Sequence, residues 1–386
     1  MPDLYKEVIL ELEKRKVADA RDIGPFYISS MATHQLNIVN QTKRIYTEGG
    51  LPANLRQHIL YVAPPGFGKS YYVKQFVEHE DYSLLKGVVS FPAFFEGSMT
   101  EAGLIGSIDP ATPGQPAKKM YGLAGGEGSN AIVAMEEFAA ITNAMVQDYN
   151  VNLDTALLTL LDSGIVNKRL RNGDLKYTSN MTWWAGTQPA RFDLSSGLAR
   201  RFIFVVKYPV WKDFKQLSER RRAAKNVKRS TQSCKMLHDL LDQRFAMIRN
   251  NVSGIVFHDD FYKIMDKKNI IHYEEALYER LAIGYWLMKE EHLNGQLEVR
   301  IDPELERIIQ LEHGHRKDIK QGAIQSMVWN IIKDVPEIGR KELLDKLLDL
   351  SLDYDESTTI INRLMVLRYL TYNAETGVLI PITKKR

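Results

Sequence analysis

The chain of 386 residues is 44% hydrophobic and 26% charged, and its 51 lysines and arginines against 48 aspartates and glutamates leave a net charge of +3. This composition excludes a disordered chain, and the charge is too near neutrality to indicate a polyanionic partner by itself. No apolar run reaches the roughly 18 residues that a membrane span needs. The single cysteine, Cys234, excludes an intramolecular disulfide and a thiolate-rich zinc site.

The first residues are charged throughout and lack the apolar core of a signal peptide, so a cytoplasmic location is expected. Residues 4–18 place apolar side chains among glutamate and lysine at roughly helical spacing, which predicts an amphipathic helix. We interpret residues 1–24 as a helical linker or brace.

An alternation of strands and helices follows. Residues 57–62 are a short apolar run typical of a strand, a Pro-Pro-Gly turn comes next, and residues 70–76 are typical of a helix. Further short apolar runs lie at Val88-Val89, residues 131–135 and residues 181–185. This order predicts an α/β domain over residues 25–210, with a parallel sheet covered on both faces.

Residues 211–318 contain amphipathic stretches, among them 234–248 and 276–288, with no clear strand pattern, which predicts a small helical domain. Between Lys212 and Arg229, eight cations stand against two anions, a composition that suits either a grip on DNA or another subunit, or a charged connector. A charged link is expected at residues 313–320.

The last segment, residues 319–386, has the element order of a winged helix. Three helices are predicted at 323–333, 340–350 and 356–370, followed by a hairpin across 373–377. The third helix offers Arg363 and Arg368 to DNA. Acidic residues precede it, so docking of a protein partner is the competing role.

A phosphate-binding loop is predicted where the first strand meets the first helix of the α/β domain. Gly66 and Gly68 let successive backbone N–H groups face phosphate oxygens, Lys69 reaches the terminal phosphates, and the Ser70 hydroxyl binds Mg²⁺. Alanine replaces the first glycine of the consensus. The residues expected to bind ATP are Ala63, Pro64, Pro65, Gly66, Phe67, Gly68, Lys69, Ser70 and Tyr71.

Such a loop needs an acidic partner on a neighbouring strand. Residues 132–135 are an apolar strand that ends in Glu136 and Glu137. Glu136 is expected to hold the Mg²⁺ and Glu137 to orient the attacking water, because phosphoryl transfer depends mostly on positioning and charge stabilisation. Most such sites carry aspartate first, so an enzyme that binds ATP and turns over slowly is an open alternative.

Further segments support a family resemblance. They are residues 49–51 with 56–62, residues 100–108, Thr187-Gln188-Pro189 with residues 191–193, and Leu198-Ala199-Arg200-Arg201-Phe202. With the loop and the paired carboxylates, they resemble the AAA+ ATPases that carry a helix-2 insert and a pre-sensor hairpin, and most of all the minichromosome maintenance (MCM) helicases, over residues 25–312.

The resemblance implies specific roles. Gln188 stands in the sensor-1 segment and would contact the γ-phosphate or the attacking water. Arg201 would be an arginine finger, presented to a neighbouring subunit of a homo-hexameric ring, and Arg200 stands where MCM proteins have serine. Arg280 is a weaker candidate for a sensor-2 arginine.

The segment 164–177 is a strong hairpin signal, because an Asn-Gly turn at 172–173 separates two short alternating runs. Lys168, Arg169, Arg171 and Lys176 cluster around this turn, so a ring would present them to DNA in its central channel. A solvated hairpin with ordinary surface charge is the simpler reading.

Together these features favour an ATP-driven DNA translocase or helicase in DNA replication or mobile-element maintenance. Two alternatives stay open. One is a protein-remodelling ATPase similar to the MoxR type, whose hairpin and insert would grip polypeptide. The other is an ATP switch that loads proteins on DNA, like initiators of the Orc/Cdc6 type.

Overall fold

The structure is a computed structural model. Among the residues it describes, no helix combines the length and apolar composition that crossing a bilayer requires. It describes residues 2–47, 50, 53, 55–78, 82–86, 88, 92–96, 100–109, 118–138, 153–170, 173–189, 200–207, 218–219, 222–223, 225, 231–320, 328–329, 331–332, 335, 337–349, 354–366 and 369–382.

Helices and strands alternate through most of the described chain. The helices are α1 (Leu4–Lys14), α2 (Ala20–Lys43), α3 (Lys69–Val77), α4 (Glu101–Leu104), α5 (Leu153–Asp162), α6 (Thr231–Asn251), α7 (Asp259–Lys267), α8 (His272–Lys289), α9 (Pro303–Lys320), α10 (Arg340–Asp349) and α11 (Tyr354–Val366). The strands are β1 (Tyr46–Thr47), β2 (His58–Val62), β3 (Ala93–Glu96), β4 (Gly106–Asp109), β5 (Lys118–Tyr121), β6 (Ile132–Met135), β7 (Ile165–Leu170), β8 (Gly173–Thr178), β9 (Thr182–Thr187), β10 (Phe202–Val206), β11 (Val252–Phe257), β12 (Gly295–Val299), β13 (Ile338–Gly339), β14 (Leu370–Asn373) and β15 (Val378–Pro381).

A five-stranded parallel sheet forms the centre of this mixed α/β fold, in the order β10-β2-β9-β6-β3. Every residue of β2, β6, β9 and β10 is buried, as expected for strands covered on both faces. The predicted parallel sheet is therefore confirmed.

One predicted strand was misplaced. The backbone N–H of Val88 donates to Leu85 O at 2.9 Å, so Val88 closes a turn, and Val89 lies outside the described residues. The strand begins later, at Ala93, where Phe94 and Phe95 pair with Val133 and Ala134 of β6. Two adjacent aromatic residues fit a pleated, half-buried surface, which explains the shift.

Helix α2 joins the sheet to the helical region through buried polar contacts. Ser30 Oγ donates to Gln57 O at 2.7 Å, and Trp184 Nε1 of β9 donates to Ser30 Oγ at 2.9 Å. On the other side, Ser29 Oγ donates to Leu281 O of α8 at 2.7 Å. These bonds fix α2 between the central sheet and α8.

The expectation of a purely helical segment over 211–318 was wrong. Strands β11 and β12 lie there, and they join β1 in a parallel three-stranded sheet in the order β1-β11-β12. Helices α7 and α8 form the crossover between them, as a parallel pair requires. The basic segment 212–229 lies mostly outside the described residues.

The expected charged link at 313–320 is instead the last part of α9. Glu312 Oε1 accepts the backbone N–H of Phe204 at 3.1 Å, and Arg316 donates to Phe202 O at 2.8 Å. The two side chains also form an ion pair at 2.6 Å. They occupy backbone groups of the edge strand β10, so the charged residues of this stretch cover the edge of the sheet.

The first helix, predicted as a linker or brace, is part of the packed structure. Its residues Leu4, Val8 and Leu12 are fully buried, and Tyr5 Oη donates to Glu304 Oε1 of α9 at 2.6 Å. The predicted boundaries at 24/25 and 318/319 fall inside α2 and α9, which both continue across them. The division into four domains stays a prediction.

The C-terminal segment contains α10, α11 and an antiparallel sheet in the order β13-β15-β14. The predicted hairpin is confirmed, since Asn373 pairs with Val378. The helix predicted at 323–333 and the side chain of Arg368 lie largely outside the described residues. The assignment of a winged helix stays a prediction.

The contact between α2 and α8 predicts a test of the fold. A Cβ added to Gly284 would lie 2.2 Å from both the carbonyl oxygen and Oγ of Ser29, whereas one added to Gly314 of α9 meets nothing within 4 Å. Gly284→Ala should therefore lower the free energy of unfolding by about 1–3 kcal/mol. Gly314→Ala should raise it by roughly 0.4–1 kcal/mol. Urea unfolding measures both, and equal effects would contradict the packing.

Candidate nucleotide-binding site

The loop at residues 63–70 lies between β2 and α3, in the predicted context. Gly66 and Gly68 both have φ of +82°, a conformation that other residues rarely adopt, and a Cβ added to either would meet nothing within 4 Å. Helix α3 begins at Lys69, so its free N–H groups face the loop. The arrangement leaves open space for an anion at a helix N-terminus.

The alanine in place of the first consensus glycine is accommodated without strain. The backbone N–H of Ala63 donates to Thr187 O at 3.1 Å, so Ala63 continues the pairing of β2 with β9 in an ordinary extended conformation. Ala63, Pro64 and Phe67 are buried, while Pro65 and Tyr71 are exposed and Ser70 is half-buried.

Lys69 folds back over its own loop. Its Nζ donates to Ala63 O at 2.6 Å and to Pro64 O at 3.1 Å. Burial lowers the pKa of Lys69 to about 8, and the carboxylate of Glu137 partly opposes this shift. An incoming phosphate would therefore offset the cost of keeping this buried ammonium charged.

The two carboxylates follow β6, as predicted, but β6 does not neighbour β2. Strand β9 lies between them and pairs with both. The backbone N–H of Phe138 donates to Gly186 O at 2.7 Å, so this pairing continues past the end of β6. The ends of all three strands consequently meet at one edge of the sheet.

Glu137 and Gln188 are brought together. Gln188 Nε2 donates to Glu137 Oε2 at 3.1 Å, and Thr187 Oγ1 donates to Glu137 Oε1 at 3.4 Å. Two neutral donors thus orient one carboxylate at the edge where the loop lies. From the sequence, Thr187 was noted only within the segment Thr187-Gln188-Pro189, with no role of its own. Its position at the end of an apolar strand was the feature that could have indicated that it contacts Glu137.

Glu136 lies in a different environment. Its side chain is 41% exposed, and its Oε1 is 3.9 Å from Nζ of Lys74, which lies four residues after Ser70 on α3. The site therefore contains one carboxylate fixed by hydrogen bonds and one that is more accessible. Lys74 was not predicted as a site residue, although its helical spacing from Ser70 places both on one face.

Arg201 lies at the opposite end of the strands from the loop, directly before β10. It is 6% exposed, its Nη2 donates to Asp162 Oδ2 at 2.7 Å, and its Nε donates to Leu158 O. Its neighbour Arg200 is 58% exposed and lies 3.9 Å from the same carboxylate oxygen. Residues 191–199 lie outside the described residues.

Arg280 is also remote from the loop. It is buried in α8, where its Nε donates to Ala276 O at 2.8 Å and its Nη1 donates to Arg56 O. Burial lowers the pKa of Arg280 to about 10. Arg56 precedes β2 while the loop follows it, and seven residues of extended chain separate the two by roughly 20 Å. The structure does not bring Arg280 to the candidate site.

The predicted hairpin is present as the antiparallel pair β7–β8. Leu170 pairs with Gly173, so the connection is 171–172, one residue earlier than the expected turn. Arg171 and the side chain of Arg169 lie outside what the structure describes. Lys176 is exposed and pairs with Asp174 at 3.3 Å, while Lys168 is half-buried.

The residues at the carboxyl edge fit a nucleoside triphosphate with Mg²⁺. Lys69 and the backbone of the loop suit phosphate oxygens, and the Ser70 hydroxyl and Glu136 carboxylate are oxygen ligands of the kind Mg²⁺ takes. No three His, Cys, Asp or Glu side chains form a metal-ligand group within the described ranges. Mg²⁺ at such sites takes several ligands from phosphates and water, so one carboxylate and one hydroxyl suffice.

The chain matches no known protein-family model, and no curated protein matches it in sequence.

The environment of Lys69 predicts a separation of stability from ligand binding. Lys69→Met removes a buried charge that folding disfavours, but also the donor to the carbonyls of Ala63 and Pro64. Because these effects oppose each other, the nucleotide-free variant should melt close to the wild-type temperature at pH 7. Mg-ATP at about 100 times Kd should stabilise the wild type by about 2.7 kcal/mol and leave the variant unchanged. Affinity of the wild type should fall as the pH rises above about 8, because the ammonium is lost.

Thermal melting with and without Mg-ATP across a pH series measures these effects. Lys86→Met is the matched control, since Lys86 Nζ likewise donates to a main-chain carbonyl, Ala93 O at 3.3 Å. The control should keep the response to nucleotide. Equal stabilisation of the Lys69 variant would place the nucleotide elsewhere.

Proposed function

We propose that the protein is an ATP-hydrolysing motor of the AAA+ type that acts on DNA as a ring of identical subunits. One observation carries the proposal: the 63–70 loop, the carboxylates after β6 and the amide after β9 meet at one edge of a parallel sheet. Binding sites in parallel sheets lie at the carboxyl ends of the strands.

The residues divide the work of hydrolysis between them. The loop and Lys69 bind the phosphates, and Ser70 with Glu136 holds Mg²⁺, which neutralises charge that develops on the phosphate oxygens. Glu137 accepts a proton from water or orients it for attack. Gln188 and Thr187 hold that carboxylate in place, so little reorganisation is needed during the reaction.

DNA as the substrate rests on the basic hairpin β7–β8 and on the resemblance to MCM helicases. A protein remodeller of the MoxR type and a switch of the Orc/Cdc6 type share the same nucleotide site. They differ in what changes the rate of hydrolysis, and one experiment separates them.

Steady-state ATP hydrolysis should rise in the presence of DNA and should fall at least about 100-fold in Glu137→Gln, since a positioned general base contributes about 10²–10⁴ in rate. ATP binding should survive in this variant, because Glu137 is not expected to hold phosphate. The assay compares wild type and variant with single-stranded DNA, double-stranded DNA or no DNA.

Glu78→Gln is the matched control. Glu78 pairs with Lys74 at 3.2 Å on the far end of α3, and its loss should leave hydrolysis unchanged. Robust hydrolysis indifferent to DNA would favour the protein remodeller, and tight ATP binding without turnover would favour the switch. Neither result agrees with a DNA motor.

The two neighbouring arginines before β10 are proposed to have different roles. Arg201 is buried against Asp162 of its own chain, whereas the exposed Arg200 is available to a neighbouring subunit. We therefore assign the contact with the nucleotide across a ring interface to Arg200, in place of the Arg201 that the resemblance indicates, and a structural role to Arg201.

Arg201→Ala should lower the free energy of unfolding by about 1–3 kcal/mol, because it leaves polar groups without their partner. Arg200→Ala should keep the wild-type stability and reduce hydrolysis by at least about 100-fold, since an arginine finger contributes about 10³–10⁵. Mixing Arg200→Ala with Lys69→Met should restore part of the activity, because some interfaces then combine an intact loop with an intact Arg200. If the mixture recovers no activity and only Arg201→Ala loses hydrolysis, then Arg201 contacts the nucleotide across the interface and Arg200 does not.

A further inference from the structure

The backbone of Glu136 is fixed beside the phosphate-binding loop. A Cβ added to Gly186 of β9 would lie 2.7 Å from Glu136 O and 3.6 Å from Lys69 Cβ, so both groups pack against the same residue of β9. The backbone N–H of Phe138 donates to Gly186 O at 2.7 Å, which holds the segment after β6 on this strand. Only the side chain of Glu136 can therefore change position while the sheet stays intact.

The Glu136 carboxylate lies near Lys74 of α3. Its Oε1 is 3.9 Å from Lys74 Nζ. The same Nζ lies 3.2 Å from Glu78 Oε1, one turn further along α3, and 5.1 Å from the centre of the Phe95 ring. The pair with Glu78 belongs to α3 alone, whereas the contact with Glu136 connects Lys74 to the candidate site.

The surroundings allow this contact to form and break. Phe95 of β3 pairs with Ala134, two residues before Glu136, so its ring places the ammonium beside the end of β6. The side chains of Lys74 and Glu136 are 33% and 41% exposed. Separating them therefore leaves the packing of the core unchanged.

Ser70, the expected hydroxyl ligand of Mg²⁺, lies one turn before Lys74 on the same face of α3. Four residues of helix separate the two by about 6 Å along the axis. A carboxylate that contacts Lys74 must turn towards Ser70 to share a metal ion with it. Glutamate has one more methylene group than the aspartate common at such positions, which extends the reach of Glu136 to both partners.

We propose that Lys74 is a positioning residue that competes with Mg²⁺ for the Glu136 carboxylate. The inference rests on the proposed nucleotide site and adds a control on its metal. In the nucleotide-free protein, the ammonium attracts this carboxylate and repels a divalent cation. The phosphates of a nucleotide supply the negative charge that offsets this repulsion, so the site takes Mg²⁺ together with the nucleotide and not before it.

A purely structural role for Lys74 predicts the opposite effect. If Lys74 only packs α3 against β3, its loss loosens the site and weakens the binding of Mg²⁺. If Lys74 competes with the metal, its loss leaves the carboxylate to Mg²⁺ and strengthens that binding. The direction of the change therefore distinguishes the two roles.

The affinity for a fluorescent, non-hydrolysable ATP analogue, measured by anisotropy over a series of free Mg²⁺ concentrations, tests the proposal. The measured quantity is the Mg²⁺ concentration at which half of the change in affinity is reached. Lys74→Gln should lower this concentration by about 3- to 10-fold, because it removes a charge about 4 Å from the carboxylate at a partly exposed site. Lys74→Arg, which keeps the charge, should preserve the wild-type value.

Two further variants serve as controls. Lys86 Nζ lies 6.0 Å from the centre of the ring of Phe94, the neighbour of Phe95 on β3 whose side chain points to the opposite face. Lys86→Gln should therefore keep the wild-type Mg²⁺ dependence. In a Glu136→Gln background, Lys74→Gln should cause no further decrease, because its action depends on the carboxylate.

An unchanged or higher half-saturating Mg²⁺ concentration in Lys74→Gln would overturn the proposal, and so would a decrease that persists in the Glu136→Gln background. In both cases the nucleotide site itself would stand. Failure of the wild type to bind the analogue at any Mg²⁺ concentration would refute the nucleotide site and this inference with it. Binding that responds to Lys74 as predicted, in a protein that does not hydrolyse ATP, would refute the motor and keep the role of Lys74.

Discussion

Main-chain hydrogen bonds that continue beyond the ends of three parallel strands are the constraint on which the candidate site depends. Ala63 N–H binds Thr187 O, and Phe138 N–H binds Gly186 O, so the segments after β2, β6 and β9 leave the sheet side by side. As a result, three parts of the candidate site lie next to each other: the loop that carries Lys69, the carboxylate of Glu137 and the amide of Gln188. Backbone pairing, which is independent of side-chain identity, thus assembles side chains that are about 120 residues apart in sequence.

The carboxyl ends and the amino ends of the parallel strands carry different kinds of side chain. At the carboxyl ends of the strands, polar side chains lie beside a loop in which a Cβ added to Gly66 or Gly68 would meet nothing within 4 Å. At the amino ends, three arginines are buried against main-chain carbonyls or an aspartate: Arg56, Arg201 and Arg280. Strand β9 runs from one end of the sheet to the other. Three residues separate it from the end of the hairpin β7–β8, and Gln188 follows directly after its last residue, Thr187. One rigid, fully buried strand therefore links the hairpin to the residue that orients Glu137.

The sequence predicts best what is local. Gly66 and Gly68 between an apolar run and a helix identify the loop, and the Asn-Gly signal identifies the hairpin within one residue. Strands β11 and β12 were missed because they are short: β11 has a serine and a glycine within its six residues, and β12 has five residues of which only Leu297 and Val299 are buried. In the sequence, Glu312 and Arg316 look like a solvent-exposed ion pair one helical turn apart. Their hydrogen-bond partners on β10 lie more than 100 residues away. Which of Arg200 and Arg201 is buried depends on Asp162, 39 residues before Arg201. No local pattern contains that information.

The most direct test of the account is an experimental structure with Mg²⁺ and a non-hydrolysable ATP analogue. The account predicts phosphate oxygens against the backbone N–H groups of residues 66–70, with Lys69 Nζ moved from the carbonyls of Ala63 and Pro64 onto the phosphates. Glu137 would stay bonded to Gln188. A loop that remains empty at saturating ligand, with Lys69 still on those carbonyls, would contradict it.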